Sequence, residues 1–166
     1  KNGQRGPAEI DGKREFTYRY VLWRAAELGI PLRFPPQHPF NPLAALRLIV
    51  AAGASVPVVQ AVFRHIWMFG GSVQSSADLE PLATQFGIVD VMSAIGTSEV
   101  KAALRDNTEA ALAKGVFGVP TLSVFEQLFF GQDATSFAMA VLEDPQLLQT
   151  GEYARLADIP VGVRRA

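Results

Sequence analysis

The stretch that decides the fold reads KGVFGVPTLSVFEQLFFGQD and covers residues 114–133. Two short runs rich in β-branched and aromatic residues, 121–125 and 128–130, lie within it and predict a β-hairpin. The glycine at position 115 predicts the end of the preceding helix, and Gly131-Gln132-Asp133 predicts the start of the next one. This stretch therefore predicts a helix, a hairpin and a second helix in that order.

Val119-Pro120 is the first of two places in this stretch that suit a small anionic ligand. The residue before a proline is held extended, and a proline at the head of a strand favours a sheet edge. The N–H and C=O groups of Val119 are then free to pair with the backbone of a bound peptide. A simple loop-to-strand turn explains the same residues, and the sequence leaves open whether the bond before Pro120 is cis or trans.

Gly131-Gln132-Asp133 is the second such place. At the start of a helix, free N–H groups and partial positive charge attract carboxylates and phosphates. The glycine allows a ligand to approach closely, and the Asp133 carboxylate suits a ligand ammonium group. The alternative is that Asp133 only caps the helix that follows.

The composition limits the class of protein. A chain of 166 residues, 49% of them apolar, fits one domain, or one domain with an insertion. The lack of cysteine excludes a disulfide framework, a thiolate metal site and a C-x-x-C redox pair, and two isolated histidines predict no metal site. A net charge of −1 predicts no nucleic acid or membrane partner. The longest apolar stretch, 48–59, is too short to span a membrane, and with no signal peptide we expect a cytoplasmic protein.

The rest of the chain predicts mostly helices. Residues 13–28 are predicted to form a helix with an aromatic stripe, and residues 32–34 a short strand. Asn41-Pro42 opens a further helix, for which Asn41 is a good N-cap and Pro42 a good first residue. In the helix predicted over 57–68, Trp67 belongs to an apolar stripe that is typical of a core. The last helix covers about 133–142.

This order of elements predicts an α/β fold, a thioredoxin-like sheet with an all-helical insertion. We divide the chain into a partial thioredoxin-like N-terminal half (1–40), a helical insertion (41–115), a thioredoxin-like C-terminal half (116–145) and a C-terminal tail (146–166). Because a thioredoxin domain opens with a strand, we expect the first strand of the sheet to be missing from this chain.

Several motifs together resemble one family. Gly118-Val119-Pro120-Thr121, followed by residues 129–133, is similar to the end of the thioredoxin domain in 2-hydroxychromene-2-carboxylate isomerases, which are relatives of kappa-class glutathione transferases and of DsbA. Residues 6–9, 28–36 and 39–43 resemble the same family in the same order. Each short motif is weak by itself, and the set covers nearly the whole chain.

The resemblance implies a cofactor and a set of site residues. Isomerising a strained aromatic acid requires the order of a bond to be lowered so that rotation can occur, and a thiolate that adds and then leaves lowers it. Since the chain has no thiol, the implied source of the thiolate is glutathione. The implied glutathione contacts are Val119, Pro120, Gly131, Gln132 and Asp133. The implied contacts to a small aromatic acid substrate are Lys1, Gln4, Arg5, Asn41 and Trp67. The family's thiol-activating serine is expected upstream of Lys1, and homodimers, which the family tends to form, are implied as well.

Three functions remain open at this point. The first is a glutathione-dependent isomerase of aromatic degradation, which the loop similarities at 34–36 and Asn41-Pro42 favour. The second is a kappa-like glutathione transferase that uses other electrophiles. The third is a thioredoxin-like binding module without catalysis, which is expected if the N-terminal segment is truly absent.

Overall fold

The computed structural model describes residues 6–163, which are mostly helical with one small sheet. The chain divides into two compact units, residues 1–107 and 108–166, and the division falls within a helix. Each unit is described by itself. Within residues 6–163, no helix has both the length and the apolar character that crossing a membrane requires.

The first unit is built from helices. They are α1 (Asp11–Glu27), α2 (Leu43–Ala51), α3 (Val56–Phe63), α4 (Ser76–Gln85), α5 (Val91–Gly96) and the start of α6 (Ser98–Ala113). A 3-10 turn, Pro7–Glu9, precedes α1, and a π-helical turn, Arg64–Met68, continues α3. The core is formed by apolar side chains from α2 to α5, with Leu48, Val62, Val73 and Leu79 almost fully buried.

Helix α1 ends where the sequence predicts, because Gly29 has a φ of +64° that glycine adopts at little steric cost. The N–H groups of Gly29 and Ile30 close the helix by donating to the carbonyls of Ala26 and Ala25. The aromatic stripe of α1 lies largely in solvent; the Phe16 side chain is 68% exposed. Only Ala25 of this helix is buried.

Residues 32–34 do not form the strand predicted from the sequence. They have no regular secondary structure, and the N–H of Arg33 donates to the carbonyl of Trp67, in the π-helical turn, at 2.7 Å. A strand requires a neighbouring strand to continue the ladder, and among the described residues the sheet has two strands, both after residue 120.

The second unit contains the hairpin and the last helices. Strands β1 (Thr121–Val124) and β2 (Gln127–Phe130) pair antiparallel, with Thr121 opposite Phe130 and Val124 opposite Gln127. Helix α7 (Thr135–Glu143) packs on the hairpin through a core of Phe129, Ala138 and Val141. A 3-10 turn (Leu147–Gln149), α8 (Gly151–Arg155) and a last 3-10 turn (Leu156–Asp158) follow.

Candidate functional site

The Val119-Pro120 loop has the unpaired backbone that the sequence predicts. The Val119 side chain is 84% exposed, and the bond to Pro120 is cis. In the part of the chain that the structure describes, neither the N–H nor the C=O of Val119 makes a hydrogen bond. A free donor and acceptor on one extended residue can pair with the backbone of a bound peptide.

The loop is held in place by its neighbours on the hairpin. The Thr121 hydroxyl donates to the carbonyl of Gly118 at 2.7 Å, and the ring of Phe130 lies directly over Gly118. A Cβ at Gly118 would approach that ring to about 2.5 Å, so only glycine fits without a shift. The ring of Phe117 packs on Phe130 at 5.1 Å between centroids.

The Gly131-Gln132-Asp133 segment lies next to this loop, because the N–H of Gly131 donates to the carbonyl of Pro120 at 2.9 Å. The prediction that it opens the last helix is wrong: α7 begins at Thr135, after a turn, and its N-cap is Ala134. Because Ala134 occupies the cap position and the helix follows it, Asp133 is neither the cap nor part of the first helical turn.

The turn nevertheless presents groups that suit a charged ligand. Within residues 6–163 no hydrogen bond takes up the N–H of Gln132 or Asp133, and both side chains are exposed. Gly131 has a φ of +95°, and a Cβ there would collide with the Asp133 carboxylate. The glycine is therefore required by the turn itself, whatever the turn binds.

In the first unit, a half-buried histidine is surrounded by aromatic rings. We call Tyr18, Phe34, His38, Phe40 and Trp67 the His38 cluster. The rings of Trp67 and Tyr18 lie 5.3 and 5.4 Å from the imidazole, and those of Phe40 and Phe34 lie 6.0 and 6.1 Å away, centroid to centroid. Burial lowers the pKa of His38 below its ordinary value of 6.5.

Trp67 and Asn41, both predicted to contact substrate, lie at this cluster. Trp67 is half-buried in the π-helical turn, a type of distortion found frequently at functional sites. Asn41 is exposed and follows Phe40, whose ring contacts Trp67 at 6.1 Å. The N-cap of α2 is Pro42, whereas the sequence predicts Asn41; the Asn41 Oδ1 accepts the N–H of Leu43 at 3.0 Å, and the amide NH₂ is left as a donor.

A cavity of about 360 Å³ lies beside the cluster and is lined by residues 35–37, Phe40 and residues 71–74. Its size falls at the lower end of small-molecule sites. Phe40 belongs both to the cavity wall and to the His38 cluster.

The predicted site residues that the structure describes fall into two sets. Val119, Pro120 and the Gly131 turn lie in the second unit, and Asn41 and Trp67 lie in the first. Lys1, Gln4 and Arg5 lie outside the described residues.

His38 is the site residue that sequence reasoning missed. It stands in a Pro-rich loop, and its partners Tyr18 and Trp67 are far from it in sequence, so no spacing reveals the cluster. In the described part of the chain, no group of three or more His, Asp or Glu side chains is arranged to hold a metal ion.

The chain matches the DSBA-like thioredoxin domain family over residues 2–143, and it belongs to that family. Among curated proteins it is similar to glutathione S-transferase kappa 2 of Caenorhabditis elegans, with 24% identity over 158 residues that cover 84% of this chain and 70% of that protein. Among solved structures it is similar to a 2-hydroxychromene-2-carboxylate isomerase, with a TM-score of 0.71, 19% identity, and coverage of 93% of this chain and 76% of the other. The family membership and this likeness confirm the DsbA-like thioredoxin fold class.

Proposed function

We propose that the chain is a glutathione-dependent isomerase acting on 2-hydroxychromene-2-carboxylate or a similar intermediate of aromatic degradation. The observation that carries the proposal is the unpaired backbone of Val119 beside the Gly131 turn. The names of the two relatives support it: one is a glutathione transferase of the kappa class and the other an isomerase of that substrate.

The residues of the second unit fit the peptide cofactor. The N–H and C=O of Val119 pair with the cysteinyl backbone, and Pro120 holds Val119 extended. The free N–H groups of Gln132 and Asp133 would donate to the γ-glutamyl carboxylate, and the Asp133 carboxylate would accept from its ammonium group. When bound, glutathione supplies a thiolate that adds reversibly to the substrate.

The residues of the first unit suit an aromatic acid. The free amide NH₂ of Asn41 donates to a carboxylate, and the ring of Trp67 packs against the aromatic plane. We assign further polar contacts with the substrate carboxylate to Lys1, Gln4 and Arg5, as the family resemblance implies.

A turnover assay with 2-hydroxychromene-2-carboxylate tests the proposal. We expect isomerisation with glutathione, none without it, and competitive inhibition by S-methylglutathione, because this analogue keeps the backbone contacts but lacks a thiol. Absence of turnover, or turnover that needs no glutathione, would contradict the proposal.

Glutathione binding, measured by calorimetry, tests the Val119 loop separately. Gly118→Ala places a methyl group against the Phe130 ring and displaces the loop. We therefore expect the dissociation constant for glutathione to rise about tenfold or more, which corresponds to a loss of roughly 1.4 kcal/mol of binding free energy. Gly96→Ala is the matched control, because a Cβ at Gly96 meets no other atom within 4 Å. Equal binding of glutathione by both variants would show that the loop is not part of the binding site.

A kappa-like glutathione transferase is the second candidate, and the curated relative favours it. Conjugation of glutathione to 1-chloro-2,4-dinitrobenzene without isomerase turnover would establish this alternative. Glutathione binding without either activity would indicate a thioredoxin-like binding module. We also propose a cytoplasmic location and a homodimer, to be checked by cell fractionation and by light scattering.

A further inference from the structure

His38 has no role in the proposed function so far, yet its contacts with Tyr18 favour one tautomer of the ring. The Tyr18 hydroxyl oxygen lies 2.9 Å from the His38 carbonyl and 2.6 Å from His38 Nδ1. A carbonyl only accepts, so the arrangement that satisfies both contacts sends the single hydroxyl proton of Tyr18 to the carbonyl. The second contact is then satisfied only when Nδ1–H donates to the Tyr18 oxygen, which leaves the lone pair of the neutral ring on Nε2.

The Nε2 atom is unpaired and is not fully buried. It makes no hydrogen bond with any described residue. Arg47 Nε is the one buried side-chain nitrogen or oxygen without a partner in residues 6–163, so His38 Nε2 is not buried. An unpaired lone pair beside several aromatic rings is an acceptor placed to meet a hydroxyl group on an aromatic ligand.

We infer that His38 is a proton-transferring residue of the substrate site and that this site takes an aromatic acid bearing a hydroxyl group. The inference rests on the proposed function. It deepens that proposal by assigning the proton chemistry to Nε2 and by placing Tyr18 as the residue that positions the imidazole.

The chemistry of a 2-hydroxychromene-2-carboxylate requires such a group, because the compound is a cyclic hemiketal. In ring opening, the hydroxyl O–H bond breaks and its proton moves to His38 Nε2. The released electron pair forms the C=O bond, the bond between that carbon and the ring oxygen breaks, and its electron pair stays on the phenolate oxygen. The phenolate then takes the proton from Nε2, so atoms and electrons balance without an oxidant or reductant.

The surroundings of His38 favour the neutral form that accepts a proton. Tyr18 is the titratable group that faces it from α1. From its own loop and from the π-helical turn, the described groups in contact with it are the rings of Phe34, Phe40 and Trp67. Burial lowers the pKa of His38 from its ordinary value of 6.5, so the ring is neutral at pH 7 and becomes cationic only under more acidic conditions.

Kinetics of His38→Gln test the inference. Glutamine keeps a polar group near Nε2 but cannot carry the proton, so we expect kcat to fall about 100-fold or more with little change in KM. In the unchanged protein, kcat/KM should fall as the pH drops below 6.5, and this acidic limb should be lost in the variant. Tyr18→Phe should lower kcat and alter the same acidic limb of the pH profile, because the tautomer of His38 is no longer held. Phe16→Ala, at an exposed position on the same helix, is the control and should leave both kcat and the acidic limb unchanged.

Two kinetic outcomes overturn the inference. One is an unchanged kcat in His38→Gln. The other is an effect of the substitution that is confined to KM and shrinks as the pH rises, which would show that a cationic His38 binds the substrate carboxylate. Either is distinct from failure of the proposed function, in which the unchanged protein itself shows no glutathione-dependent turnover.

A ligand titration needs neither turnover nor a variant. His65 is an internal control, since its Nε2 lies 2.9 Å from the carbonyl of Ser72 and must donate, which gives the opposite tautomer. Long-range proton–nitrogen spectra should therefore show one histidine of each tautomer. Adding 2-hydroxycinnamate should shift Nε2 of His38, whereas cinnamate, which lacks the hydroxyl, should not; equal or absent shifts would overturn the inference.

Discussion

At the scale of single residues, the most heavily bonded carboxylate is that of Asp78. Its Oδ2 accepts the Ser72 hydroxyl at 2.6 Å and the N–H groups of Gln74 and Ser75 at 2.9 Å each. The Ser75 hydroxyl accepts the N–H of Asp78 in return, and the pair forms a capping box for α4. The bond from Ser72, followed by that from the Ser75 backbone, holds the pKa of Asp78 below its ordinary value of 3.8.

Asp78→Asn is therefore expected to lower the melting temperature in a pH-dependent way. A carboxylate whose pKa is lowered by folding stabilises the protein above its unfolded pKa, and this contribution is lost as the pH falls through the folded value. The difference in melting temperature between the two proteins should be constant at neutral pH and shrink below pH 3.8. Asp106→Asn is the control, since Asp106 has only an exposed contact with Arg105. A difference that does not vary with pH would contradict the assignment.

At the scale of elements, the hairpin turn is strained. A two-residue loop joins the strands, and both its residues, Phe125 and Glu126, have positive φ, at 47° and 66°. Such turns are normally built from Asn-Gly, because other residues meet steric conflict in this region. The Phe125 side chain is 57% exposed, so packing offsets little of the strain.

Replacing Phe125-Glu126 by Asn-Gly is expected to stabilise the hairpin. Relief of the strain should raise the free energy of unfolding by about 1 kcal/mol, the lower end of the cost of a non-glycine residue in this conformation. Glu126→Gln alone is the matched control, because it changes the charge and keeps the backbone conflict. Urea unfolding measures both, and an Asn-Gly variant no more stable than the control would show that the turn carries no strain.

At the scale of the whole molecule, each unit has its own cluster of buried apolar side chains among the described residues. The larger cluster belongs to the first unit and includes Leu48, which is fully buried. A fully buried leucine contributes both its transfer from water and the close packing of its neighbours.

Leu48→Ala is expected to lower the free energy of unfolding by about 2–5 kcal/mol, because a cavity remains where the side chain was. Leu46→Ala changes the same residue type on the same helix, but its side chain is 41% exposed, so its effect should be clearly smaller. Denaturant unfolding followed by circular dichroism compares the two. Equal losses would mean that Leu48 is not at the centre of the core.

Sequence reasoning predicted the features that are fixed locally. Helical periodicity, the glycine after α1, and the paired strands before position 131 are set by the preferences of neighbouring residues, and the motif at Val119-Pro120 carries the family resemblance. The hairpin, the main helices and the thioredoxin-like class were therefore confirmed. The four-part division of the chain stays a prediction, as do the roles of the site residues.

The tertiary structure decided what depends on partners distant in sequence. Residues 32–34 have a strand-like sequence, but the Arg33 N–H pairs with Trp67 rather than with a strand. The Gly131 N–H pairs with Pro120, a turn follows, and α7 begins only at Thr135. His38 becomes a candidate base only when folding places Tyr18 against one nitrogen and leaves the other free. Local sequence sets the conformation of each segment, whereas hydrogen bonds and ring contacts between remote segments decide which groups are buried, paired or left to act.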